Sequence, residues 1–262
     1  MKALQKRQTG ELAPINLMDM AGKGAEDITS HDLPKPFLKL LQKMSVQVDV
    51  DHESYVEGAR PGMIYNTGTG VLYDHKQKSV VFVPVMYQNR VIEWRPKREG
   101  FVAEHLPGSK ITRDATMKAM VTQDGHTKDI WTAANGNILV DTAIYHGFLV
   151  REDGYDEVVI SMSSTAWQCA KQWNLTMTQL RERDQKTGKE FRPPIFSRAY
   201  NLMSKQKENE KGAFHIWQVE LNSRLDYENN PFHNRLLVES LDYIERIEKG
   251  EIRAEHDENG AF

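Results

Sequence analysis

Between Gly62 and Met162 the sequence carries one strand signal after another, and this restricts the fold more than any other feature of the chain. Gly62–Asn66, Val71–Tyr73, Ser79–Tyr87, Arg90–Arg95, Ile138–Val150 and Glu157–Met162 are rich in β-branched and aromatic residues. Turn formers such as Thr67-Gly68-Thr69-Gly70 and Glu152-Asp153-Gly154 separate several of them. Gln88-Asn89 is expected as a tight turn between two long strands. In Val91–Arg95 the alternation puts Ile92 and Trp94 on one face and Val91, Glu93 and Arg95 on the other, so one face is expected to be wet. A further extended pair, Ile195–Met203 and Ala213–Leu221, is joined by a charged connector, Lys205–Lys211.

Helical periodicity is confined to three places. Phe37, Leu40, Leu41 and Met44 recur as a short amphipathic helix requires. Ser163 or Ser164 can cap a helix running to about Arg183. Asn230-Pro231 opens a last helix whose apolar stripe, Phe232 to Ile247, is ended by Gly250. Leu106–Gly136, poor in apolar residues, reads as a long inserted loop. About seven strands with two or three helices predict an α+β, β-dominated domain over 32–250, after a flexible arm over 1–31 and before an acidic tail over 251–262.

With 262 residues, 39% of them hydrophobic, the chain can bury a core. Cys169 is the single cysteine, which removes internal disulfides and multi-cysteine zinc sites and fits a reducing, cytoplasmic setting. The N-terminus lacks the apolar run of a signal peptide. The longest apolar run, Val80–Tyr87, is interrupted by Pro84 and falls far short of the roughly 20 residues that span a bilayer, so no membrane association is expected. The common phosphate-loop, zinc-hydrolase, nucleophile-elbow and dinucleotide motifs are absent, and an enzyme is not expected. His105, His126 and His146 with Asp124, Asp129 and Asp141 are too irregularly spaced to suggest a metal site; no metal or cofactor is expected. Cys169, between Trp167 and Trp173 on the second helix, reads as a packed small residue.

The net charge of -3 hides a polarised distribution. Residues 251–262 hold Glu251, Glu255, Asp257 and Glu258 against Arg253 alone, whereas 167–211 holds ten Lys and Arg against five acids. Aromatic residues interleave with the basic ones. Tyr87 and Arg90 lead into Trp94, Arg95, Lys97 and Arg98; Lys171 lies between Trp167 and Trp173; Arg198 and Tyr200 precede Lys205 and Lys207. Exposed bases stack on rings while Lys and Arg neutralise phosphates, so this combination suits a single strand of nucleic acid. Tyr87, Arg90, Trp94, Arg95, Lys97 and Arg98 are the first candidates for contact, followed by Lys171, Arg198, Tyr200, Lys205 and Lys207.

Two resemblances reinforce the reading. The tail, with Asp257, Glu258 and the terminal Phe262, resembles the acidic tip of bacterial and phage single-stranded DNA-binding proteins, although Gly260-Ala261 stands where those tails carry clustered aspartates and Ile/Pro. The body resembles a group of phage proteins described as single-stranded DNA-binding, in Pro36–Ser45, Val83–Val85 through Ile92–Pro96, Gly100–His105 and Pro193–Phe196. The resemblance implies an OB-like antiparallel barrel that coats unpaired strands during phage DNA replication, recombination or repair in the host cytoplasm. It further implies a tail that recruits replication or recombination proteins and competes with DNA. Alternatives are a strand-annealing recombination mediator and a phage structural or assembly protein; a homo-oligomer is compatible with each.

Overall fold

The computed structural model describes residues 23–25, 35–121, 127–209 and 212–252. The chain divides into two compact units, 1–33 and 34–262. Of the first only the turn at Lys23–Ala25 is described, so the arm expected over 1–31 lies otherwise outside the described residues. The second unit is α+β and dominated by antiparallel strands. A three-stranded sheet is formed by β1 (Leu38–Leu40), β2 (Ile64–Asn66) and β3 (Leu72–Tyr73). The main sheet is built on two long strands, β4 (Val80–Trp94) and, after β5 (Phe101–His105), α1 (Lys110–Arg113), β6 (Thr116–Val121) and β7 (Thr127–Thr132), β8 (Ile138–Val150). Next come β9 (Tyr155–Ser163), α2 (Trp167–Gln179), the small ladder of β10 (Glu182–Arg183) with β11 (Glu190–Phe191), the pair β12 (Arg198–Asn209) and β13 (Gly212–Arg224), and α3 (Pro231–Glu248).

β4 and β8 pair from Val81 opposite Val150 to Trp94 opposite Ile138. Each has two further neighbours. The outer edge of β4 takes β12 near its start, Phe82 opposite Tyr200, and β5 near its end, Ile92 opposite Glu104. The outer edge of β8 takes β7 at Ile138 and β9 from Thr142 onward. One half of the sheet therefore runs β13-β12-β4-β8-β9 and the other β5-β4-β8-β7-β6. None of the sheets closes into a barrel, which corrects the barrel closure implied by the sequence resemblance.

Gln88-Asn89 is not a turn: both residues stay in the ladder, opposite Ile144 and Ala143. A two-residue hairpin of the favoured type needs positive φ at both positions, and an uninterrupted β8 offers extended pairing instead. Pro84, which cannot donate to a ladder, sits at a bulge where the register shifts between Pro84 and Met86. Opposite the bulge lies Gly147, where a Cβ would fall 2.3 Å from the Val83 carbonyl oxygen and 2.4 Å from the Phe82 ring. The strands approach so closely there that no side chain fits.

Pro36–Ser45 is extended and then turning rather than helical. Leu38 and Leu40 alternate into the core, and the segment straps one sheet edge to the other. The Pro36 carbonyl accepts the Val159 amide of β9 at 2.8 Å. The Gln42 side chain donates to the His215 carbonyl at 2.9 Å and accepts the His215 amide at 2.8 Å on β13. The inserted loop expected over 106–136 contains α1 and the β6–β7 hairpin, and the expected connector 205–211 is largely the continuation of β12.

α2 covers one face, placing Ala170, Trp173 and Met177 among Phe82, Tyr145, Tyr200, Leu202 and Trp217, with Leu38, Leu40 and Ile64 of the strap and β2 completing the cluster. Trp173 stacks on Tyr145 with ring centroids 4.2 Å apart, and the Tyr145 hydroxyl reaches Asn174 Oδ1 at 2.9 Å. α3 covers the other face with Leu236, Tyr243 and Ile247 against Val83, Val85 and Phe148. Its cap is the Asn230 side chain, which accepts from the amides of Phe232 and His233, with Pro231 in the first turn. Glu157 on β9 ties Lys35 and Arg246 together, and both cations flank the Tyr243 ring, at 5.1 and 5.2 Å from its centre. No described helix is long and apolar enough to cross a membrane.

Two predictions follow from the sheet. Gly147→Ala drives a methyl group into backbone and should destabilise by about 1–3 kcal/mol, toward the upper end, in urea unfolding; a loss within error would mean the strands part easily there. His146, 1% exposed and in T-shaped contact with Tyr243, has its imidazole pushed down to about 4 by burial and by the charges of Lys35 and Arg90. The folded chain keeps it neutral while the unfolded chain takes up a proton near the ordinary value of 6.5. The unfolded state thus binds more protons inside that window. Stability should fall as pH drops through it, by about 3 kcal/mol from this group. His146→Gln should flatten that part of the stability profile, and an unchanged profile would assign the slope to other groups.

Candidate nucleic-acid interface

The turn that closes β4 gathers three of the basic candidates, Arg95, Lys97 and Arg98. The Arg95 amide bonds to the Gly100 carbonyl at 2.9 Å, and the Arg98 amide to the Arg95 carbonyl at 2.9 Å, so 95–100 folds back on itself before β5. Lys97 and Arg98 adopt φ of 58° and 61°. The third non-glycine residue with positive φ among those described, Ser164 at 51°, is the one whose Oγ accepts from Arg98 Nη2 at 3.3 Å. Left-handed backbone costs a residue with a Cβ roughly 1–2 kcal/mol, and three such residues stand together between the end of β4 and the start of α2. Arg95 and Lys97 are exposed and Arg98 is half-buried, its guanidinium pushed down to about 10 by burial and still charged at neutral pH. Trp94 is half-buried, edge-on to Phe101 with centroids 6.1 Å apart.

The other first candidates are engaged differently. Tyr87 packs on Tyr145, centroids 5.2 Å apart, at the margin of the α2 core. Arg90 is paired with Glu104 across β4 and β5 at 2.6 Å. The face of β4 expected to be wet is covered: Glu93 is 3% exposed and accepts from Asn135, Asn137 and His105 at 2.8, 2.7 and 2.7 Å. Burial pushes its carboxyl up, but the three donors outweigh it and hold it below the usual carboxylate range.

Lys171 is exposed on α2. Arg198 and Tyr200 are buried at the start of β12. Arg198 donates to Glu182 at 2.5 Å and to the carbonyl and hydroxyl of Ser197. Tyr200 packs on Trp173, with its phenol pushed up to about 12 by burial. Burial places both out of reach of a surface ligand, a correction to their surface role. Lys205 and Lys207 lie exposed on the far part of β12, directly opposite Ile216 and Phe214 of β13, both half-buried. Directly opposite residues share a face, so each lysine stands beside an apolar side chain.

β12 runs antiparallel to β4 and past its start, with Leu202 opposite Val80. Lys205 and Lys207 therefore lie beyond one end of β4 and the Trp94 turn closes the other. Fifteen residues of strand separate the two ends, roughly 50 Å at ~3.3 Å per residue. The structure thus sets Trp94, Arg95, Lys97 and Arg98 at one end of β4 and Lys205 and Lys207 beyond the other, and leaves Lys171 on α2 in neither group.

Asp257, Glu258 and Phe262 lie outside the described residues, but Ile252 is buried against the cluster around Tyr243, Ile247 and Phe196. Cys169 is half-buried with its thiol pushed up to about 11 by burial, as a packing residue's would be. No group of three or more His, Cys, Asp or Glu among the described residues could hold a metal ion. Trp131, half exposed on the β6–β7 hairpin between Ile130 and Thr132, is not among the sequence candidates.

A family model described as Pam3 phage gp34-like protein matches residues 6–236. No curated protein and no solved structure matches the chain.

The strain at 97 has a measurable consequence. Glycine is ordinarily the more destabilising replacement in a folded segment, but at positive φ it carries no Cβ to clash. Lys97→Gly should therefore be more stable than Lys97→Ala, by about 1 kcal/mol in thermal unfolding. The ordinary order, alanine above glycine, would show that this turn is not held in the left-handed region.

Proposed function

We propose that this chain, which belongs to the Pam3 phage gp34-like family, is a binding protein for single-stranded nucleic acid and acts without catalysis. The observation that carries the reading is the register of the β12–β13 hairpin, which sets Lys207 beside Phe214 and Lys205 beside Ile216 on an exposed stretch of strand. Lysines two residues apart on a strand project to the same side about 6.6 Å apart, a spacing suited to successive phosphates of an extended strand. The Phe214 ring beside Lys207 offers a stacking surface to any base. The Trp94–Gly100 turn, with Arg95, Lys97 and Arg98 around a half-exposed indole, offers the same chemistry at the other end of β4. An open sheet with such surfaces serves where OB-type proteins use the groove of a barrel. The acidic tail, 251–262, would recruit a replication or recombination protein in the host cytoplasm.

Fluorescence anisotropy with labelled oligo-dT, the matching duplex and rising salt tests the proposal. Oligo-dT should bind more tightly than duplex, because bases stack only when unpaired. Lys205→Ala with Lys207→Ala should reduce the salt slope by about 1.4, from ~0.7 per phosphate contact, whereas Phe214→Ala should cost roughly 1–3 kcal/mol with the slope kept. Equal affinity for duplex and single strand, or variants that bind as tightly as the parent, would remove the reading.

A further inference from the structure

β6 is the last strand on its side of the sheet, hydrogen-bonded to β7 and to no other strand among those described. Its outward backbone groups form an unpaired ladder of the kind that accepts a further strand. Proteins that keep such an edge single protect it with charge, proline or a bulge. β6 reads Thr116-Met117-Lys118-Ala119-Met120-Val121, with one charge, no proline and no register shift against β7. Met117 stands directly opposite Trp131, and the two are 54% and 50% exposed, an apolar pair at the strand edge. The nearest charge on that face is Asp129, opposite Ala119, which repels phosphate and disfavours nucleic acid as the occupant.

We propose that β6 pairs antiparallel with β6 of a second copy of this chain about a two-fold axis at Ala119. A two-fold axis normal to the sheet keeps odd-numbered residues on one face in both copies, so the axis must pass through a residue position. Two registers give the longest overlap. Centring on Lys118 sets two lysines directly opposite each other, which is destabilising. Centring on Ala119 sets alanine against alanine, Met117 against position 121 and Lys118 against Met120, with no like charges facing. The apolar strip from Trp131 to Met117 then continues onto the other copy. The seam joins one short edge strand from each copy, with Trp131 one strand further in, so it buries well under the roughly 1,200 Å² of a stable interface, and the dimer forms with concentration rather than permanently.

Sedimentation velocity without nucleic acid tests the pairing apart from the proposed function. The parent chain should move from 30.1 kDa toward twice that mass as its concentration rises. Ala119 is exposed, so a charged side chain has room there; Asp129 opposite it attracts a lysine and repels a glutamate, and the thermal unfolding of each variant shows that its fold is kept. Ala119→Lys and Ala119→Glu should each stay monomeric, since like charges meet at the axis. An equimolar mixture of the two should recover the dimer, because lysine then faces glutamate. A parent chain that stays monomeric to about 1 mM, an Ala119→Lys chain that dimerises like the parent, or a mixture that remains monomeric would overturn the proposal.

Discussion

The pairing of β4 with β8 is the constraint from which the rest of the molecule is built. Thirteen residues of β8 hold a single register against β4 apart from the one shift at Pro84. Each of the two strands then has an outer edge long enough to take two neighbours in turn. This is why one sheet has two halves with different partners. The bulge is the condition for it: Pro84 interrupts the ladder where the missing donor is tolerated, and Gly147 has no side chain to keep the strands apart. Phe82 and Phe148, on either side of this junction, face α2 and α3 respectively. A change in register at this point would exchange the residues offered to the two helices.

What could be read from the sequence is what local patterns decide. α3 was legible because Asn230, Pro231 and an apolar stripe all act within one element. β8 and β9 were legible because a Gly-containing turn separates two apolar runs. Phe37, Leu40, Leu41 and Met44 fit a helical period as well as Leu38 and Leu40 fit an alternating one, and only distant partners, Val159 and His215, decide between them. Gln88-Asn89 failed as a turn for the same reason, since the strand opposite supplies the alternative.

The candidate site could be read from the sequence as residue types and not as geometry. Lys205 and Lys207 stand out in the sequence, but their pairing with Ile216 and Phe214 depends on a hairpin register set elsewhere. Arg198 and Tyr200 lie on the same strand but on either side of a register shift, and both are enclosed: Tyr200 packs under α2, and Arg198 is held by Glu182 and Ser197. Glu93 reads as a solvent-facing acid until two asparagines and a histidine from other segments are brought to it. Interleaved basic and aromatic residues therefore do not separate residues open to a ligand from residues that hold the fold.

The strap at Pro36–Gln42 also governs the order in which the molecule can be completed. Gln42 and His215 are 173 residues apart, and the two bonds between them cannot form until β13 exists. During synthesis the strap emerges early and waits, while the hairpins that supply its two anchor strands close over short loops. Contacts of such long sequence separation come late because their loop entropy is met only after the intervening chain has been ordered. The N-terminal part of the domain is thus made early and fastened late, and an incomplete chain lacking β13 leaves Leu38 and Leu40 without part of their core.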